Sequence, residues 1–135
     1  MVDATGRSVS VDLASSEVIL VGKLINVNSG EAVLADATTG QKRLIAGQQS
    51  PNGFLSFGDE IPAGSGMTML FGASGKEYTL YLAAGETADF GGSAYAAASG
   101  DVAATGVAGN EIGVFKNSVD NSGGSQSVEI KVVLK

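Results

Sequence analysis

Ser127-Val-Glu-Ile-Lys-Val-Val-Leu134 puts Val128, Ile130, Val132 and Leu134 on one face and Glu129 and Lys131 on the other, the period of a half-buried strand. Upstream of it lies Gly109-Asn-Glu-Ile-Gly-Val-Phe-Lys116, and residues 111–116 are expected to pair with residues 127–134. The polar run between them, with Asn117, Ser118, Asp120, Asn121, Ser122, Gly123, Gly124 and Ser125, cannot build a core and reads as an exposed hairpin loop. Nothing in this terminal unit looks catalytic. Function is therefore sought in what a sheet presents to a partner.

Apolar residues make up 44% of the 135 and charged residues only 16%, which excludes a disordered tail and implies that other protein covers some of the surface. Twenty glycines and two prolines, spread without a triplet period, fit tight turns between short strands. The expected class is all-β: a small single-domain antiparallel β-barrel or sandwich with a short N-terminal arm and long loops. Residues 1–13 form the arm and first strand, and residues 14–135 a single β domain. The net charge of −6, with no Lys/Arg cluster, gives no footprint for nucleic acid. With no cysteine there is no disulfide framework. No signal peptide is visible at Met1-Val-Asp-Ala-Thr-Gly-Arg7, and no stretch is long and apolar enough to span a bilayer. No membrane partner is expected.

Along the chain, Val9, Val11 and Leu13 alternate with Ser8, Ser10 and Asp12, the pattern of an edge strand or of a strand donated to a neighbour. Glu17-Val-Ile-Leu-Val21, resumed by Leu24, Ile25 and Val27 after Gly22, predicts a buried strand with a glycine kink before the Asn28-Ser-Gly30 turn. Residues 31–36 and 41–46 read as a hairpin across Thr38-Thr-Gly40. Residues 47–66 are rich in turns, anchored by Phe54, Leu55 and Phe57. Met67, Met69 and Phe71, then Tyr78, Leu80 and Leu82, predict a second hairpin around Ser74-Gly75, with the methionines and aromatics in the core. The alanine-rich run 94–98 could form a helical turn, bounded by glycines. Residues 30–40 faintly echo residues 92–100 in a Gly-x-Ala pattern, which implies two similar strand-then-turn units.

The absence of histidine removes the commonest general base and metal ligand. Asp59 with Glu60, and Asp101 with Glu111, are the available carboxylate pairs, but acids near turns are more often solvated turn formers. Residues 120–129 hold too few acids at alternate positions for calcium. Gly72-Ala-Ser-Gly-Lys76 and Gly64-Ser-Gly66 fail as phosphate and dinucleotide loops. No catalytic residue, cofactor or metal is expected. Tyr78 and Tyr81 fall on opposite strand faces, so at most one of them, with Tyr95, could offer a glycan platform.

The layout resembles the small head-decoration (capsid cement) proteins of tailed bacteriophages. The resemblance rests on a short arm, Val18-Ile-Leu-Val-Gly-Lys-Leu-Ile-Asn-Val27, Gly30-Glu-Ala-Val-Leu-Ala-Asp36, Glu111-Ile-Gly-Val-Phe115 and the terminal Ser127 to Leu134 series, in order along most of the chain. It implies a non-enzymatic structural protein, made in the host cytoplasm, that sits on the outer surface of the virion capsid. There it would bind the major capsid protein and clamp neighbouring capsomers, as a homo-oligomer with a trimer favoured. Val9, Val11 and Leu13 of the arm are the expected partner contacts, with Asn117, Asp120 and Asn121 of the polar loop as the second set. A receptor- or glycan-binding β module of a tail fibre or adhesin is the alternative.

Overall fold

The computed structural model describes residues 10–15, 17–36, 44–46, 49–50, 53–54, 57–64, 66–71, 74–106 and 109–135. The remaining residues, including Val9 and the turn expected at residues 38–40, lie outside these. The first half holds β1 (Ser10–Ser15), β2 (Ile19–Leu20), β3 (Leu24–Asn28), β4 (Glu31–Leu34), β5 (Leu44–Ala46), β6 (Gln49–Ser50), β7 (Gly53–Phe54), β8 (Glu60–Ile61) and β9 (Gly66–Phe71). The second holds β10 (Glu77–Leu82), β11 (Thr87–Ala88), β12 (Ser93–Ala96), β13 (Val102–Ala103), β14 (Glu111–Phe115), β15 (Val119–Asp120) and β16 (Val128–Leu134), with one 3-10 turn at Ala98–Gly100.

The fold is all-β, as expected, and of the two expected architectures it takes the barrel, twice. β1-β4-β3-β5-β9 closes one five-stranded barrel and β10-β13-β12-β14-β16 closes another. In each, the first long strand runs parallel to one neighbour (β1 to β4, β10 to β13) and antiparallel to the other (β1 to β9, β10 to β16). The other ladders are antiparallel in both. Each barrel also carries a two-stranded ribbon in the corresponding place, β2 with β8 and β11 with β15. The topology of the first half is thus repeated in the second.

Local chemistry follows the same duplication. Lys23 N–H donates to Leu20 C=O at 3.1 Å and Gly92 N–H donates to Asp89 C=O at 2.8 Å. Gly22 and Gly91 each take positive φ one residue earlier, at 105° and 82°. Ser29-Gly30, with φ of 53° and 80°, reappears as Ser99-Gly100, with φ of 59° and 74°. Among the described residues these two serines are the non-glycine residues with positive φ, a conformation that costs about 1–2 kcal/mol for most side chains. The sequence echo between residues 30–40 and 92–100 is therefore out of register. Gly30 corresponds to Gly100, and the strand after Gly92 corresponds to β3.

Inside the second barrel, Ile130, Val132 and Leu134 of β16 and Leu80 and Leu82 of β10 are buried, as their alternation requires. Each buried Leu, Ile or Phe stabilises the fold by about 2 kcal/mol relative to exposure. A barrel of only five strands is narrow, so other inward positions must be small. Ala94 and Ala96 fill two of them, and Ala88 of the adjoining ribbon joins the same buried cluster. The alanine run is accordingly a strand with Ala94 and Ala96 inward and Tyr95 half-buried between them, and only its end forms a 3-10 turn. One buried cluster joins Leu24, Ala35 and Ile45 of the first barrel to Leu80, Val102, Ile112 and Phe115 of the second. The two barrels thus share a core.

Three expectations are corrected. β9 and β10 do not form a hairpin: β9 lies between β1 and β5, and β10 between β13 and β16, so the Ser74-Gly75 turn carries the chain from one barrel to the other. β4 and β5 do not pair either, because β3 stands between them; the hairpin is β3–β4, turned by Ser29-Gly30 with the two positive φ values that a tight two-residue loop needs. The apolar run from Glu17 is no single kinked strand, since Gly22 turns the chain from the β2 ribbon into the β3 ladder. The first strand enters the first barrel by its end: Ser10–Ala14 pair with β9, and Ala14 and Ser15 pair with β4, so Ser10–Leu13 are laddered to β9 on one side.

Candidate partner-binding surfaces

The two barrels meet around a buried lysine. Gly22 brings Lys23 to the mouth of β3, and its ammonium donates to the carboxylate of Asp101 at the start of β13. Lys23 Nζ also lies 4.7 Å from the centre of the Tyr81 ring, a cation–π geometry. Tyr81 stacks in turn on Phe57, with centroids 4.6 Å apart and planes at 25°. A side chain at Gly22 would collide with the Phe57 ring. Gly100 N–H donates to Ala35 C=O at 2.8 Å across the same junction. Burial pushes the Asp101 carboxyl above the usual range, and the hydrogen bond and charge of Lys23 pull it back. Burial, then the negative charges of Asp101 and Glu129, raise the Tyr81 phenol. These groups form a clasp closed on itself, with each member committed to another.

This clasp was invisible in the sequence, where Lys23 and Asp101 stand 78 residues apart. The signal that could have found it is the doubled Ser-Gly-acid step, Ser29-Gly30-Glu31 and Ser99-Gly100-Asp101.

The carboxylates that the sequence offered as pairs have separate partners. Asp101 is held by Lys23, whereas Glu111 accepts from Lys135 Nζ at 2.7 Å and is lowered by that hydrogen bond, then by one from Ser93. Among the described residues no three acids gather as a metal site would require. The tyrosines do not form an exposed platform: Tyr81 is buried between the barrels, Tyr78 packs on the core, and the Tyr95 side chain lies against Gly106.

Of the expected partner contacts, Val9 lies outside the described residues. Val11 and Leu13 stand on β1, opposite Met69 and Met67 of β9. Their strand belongs to a barrel wall. In the polar loop, Asn117 is exposed and accepts from Lys131 N–H at 3.1 Å. Asp120 is exposed on β15 and accepts from Ser122 N–H at 3.0 Å and Thr87 Oγ1 at 3.2 Å. Those bonds, Ser122 first, lower its carboxyl below the usual range.

Asn121 differs. It is 6% exposed, and its side-chain amide donates to the carbonyls of Gln126 at 2.9 Å and Ala83 at 3.1 Å. Its backbone pairs with Gly85 and Glu86. The loop expected to stand free is therefore pinned to the barrel by one buried amide, with Asn117 and Asp120 left at its surface.

The exposed large apolar side chains among the described residues are Val18, Val27, Phe90 and Val114, with Phe90 the most open at 69%. Isolated exposed valines need no explanation; Phe90, beside the Gly91 turn, is the open aromatic among these four.

No known protein family and no curated protein matches the chain. Among solved structures it is similar to the head fiber gp8.5 N base in bacteriophage phi29, with a TM-score of 0.62 over 95% of this chain and 94% of that one, at 12% identity. The fold is shared. Because the overlap spans nearly the whole of both chains, it takes in both barrels.

Proposed function

We propose that the chain is a non-enzymatic structural protein of a bacteriophage virion that binds the outer capsid surface and stabilises it by clamping adjacent capsomers. The observation that carries this reading is the end-to-end likeness to a head fiber base, a protein of the phage head. The chemistry agrees with it. Histidine is absent, the acids of the described clasp and strand ends are tied to lysines, and the surface offers short polar loops and one open aromatic tip.

The partner in this reading is the major capsid protein, approached by the residues before β1 and by Asn117 and Asp120, and neither nucleic acid nor membrane is a target. Modest contacts suffice when many copies bind one lattice. The chain acts as a homo-oligomer in this reading, with a trimer favoured.

A second reading, a module that seats a receptor-binding fibre on the head, is favoured by the likeness to the base of a head fiber. Heat release of the genome from heads with and without saturating protein separates the two. The clamp predicts co-sedimentation with heads and a raised release temperature; the fibre seat predicts co-sedimentation without that rise. No co-sedimentation contradicts both.

A further inference from the structure

The junction between the barrels is head to tail: a turn of the first barrel is received by a face of the second. Such an interface uses different surfaces on its two sides, so a repeat that makes it once leaves one of each surface open. The internal duplication identifies both.

The received turn contains Gly22 and Lys23, and its counterpart in the second barrel is Asp89-Phe90-Gly91-Gly92. In the first barrel Val21 is 1% exposed. In the second, Phe90 stands in the place of Val21 and is 69% exposed.

The receiving face of the second barrel contains Gly100 and Asp101, both buried against the first barrel, and Ala96 beside them is buried too. An added Cβ at Gly100 would lie 2.6 Å from Leu24 C=O. Their counterparts are Val27, Gly30 and Glu31, matched by ladder position, since Val27 faces Ala32 as Ala96 faces Val102. All three are exposed, Val27 is 42% open, and a Cβ at Gly30 would meet nothing within 4 Å.

We propose that a second copy of this chain docks head to tail, its Phe90 turn seated on the Val27–Glu31 face of the first. Gly92 stands where Lys23 stands in the first barrel, so the lysine of the clasp is not repeated at that position. A cation is nevertheless near: Lys116 is exposed and follows Phe115, whose backbone bonds to Gly91 and Gly92 at 2.8 and 2.9 Å. Lys116 complements Glu31. Asp89, exposed on the same turn, offsets part of that attraction, so contact between Phe90 and Val27 carries most of the affinity. The contact repeats with each added copy, giving a ring where the rotation closes and a short filament where it does not. This inference does not depend on the capsid reading.

The test is sedimentation velocity of the full chain over about 1 µM to 1 mM, with Phe90→Asp and Val27→Asp variants checked for fold by circular dichroism. Wild type is expected to exceed single-chain mass as concentration rises. Each variant is expected to associate about tenfold more weakly or worse. Mixed one to one, the variants are expected to form a dimer and nothing larger, because one keeps a good face and the other a good turn. Phe90→Ser and Glu31→Lys serve in their place if either aspartate variant is unfolded, with the same expectation. Wild type that stays at single-chain mass overturns the proposal, as do variants that associate like wild type or a mixture that stays at single-chain mass.

Discussion

Lys23 and Asp101 show how much one pair of residues can decide. Each is 8% exposed, and taking two charges out of water costs nearly as much as their attraction returns. Removing one partner is a different matter, because the other charge is left buried and alone. Lys23→Met is expected to lower the unfolding free energy by about 3 kcal/mol or more, and Lys23→Met with Asp101→Leu to recover most of that loss. Urea unfolding of the two variants checks it; equal losses would mean that the charges are solvated. Asp120 supplies a pH signature. Its carboxyl is lowered by bonds from Ser122 and Thr87, so the stability it contributes is present above the ordinary aspartate range and is lost as pH falls through the lowered value. Asp120→Asn is therefore expected to flatten the acid side of the melting temperature against pH profile. Neither role was legible beforehand. Periodicity marks faces of strands, whereas a buried ion pair 78 residues apart in sequence is made by topology.

At the scale of elements, β16 and β10 were read directly from sequence, because alternating Ile130, Val132 and Leu134, or Leu80 and Leu82, leave one face to bury. Their pairing partners were read only in part. β14 does pair with β16 as the terminal unit implied. The expected hairpin between residues 67–71 and 78–82 failed because sequence neighbours were assumed to be sheet neighbours, and closure into two barrels had already used both edges of each strand. The duplicated Ser-Gly turns offer a matched test. Gly30 and Gly100 share φ near 80° and 74°, so alanine strains both backbones alike, by about 1–2 kcal/mol. Only at Gly100 would the methyl also meet Leu24 C=O, Leu34 and Lys23. Gly100→Ala is expected to lower the melting temperature well below that of Gly30→Ala; equal melting temperatures would show that the junction gives way.

For the whole molecule, two copies of one small barrel topology share a core and a clasp. The shared cluster and the Lys23 contacts hold the two barrels against each other. Composition and the missing histidine pointed away from an enzyme, and the order of strand units resembled capsid cement proteins. The duplication itself stayed hidden, since the halves keep turn chemistry more than side-chain identity. In the proposed function this chain sits on the outside of a phage head. A cryo-electron microscopy difference map between heads saturated with the protein and bare heads tests it most directly. Density for paired barrels is expected on the outer surface, bridging adjacent capsomers at repeated lattice positions. A difference map without added density outside the shell would contradict it.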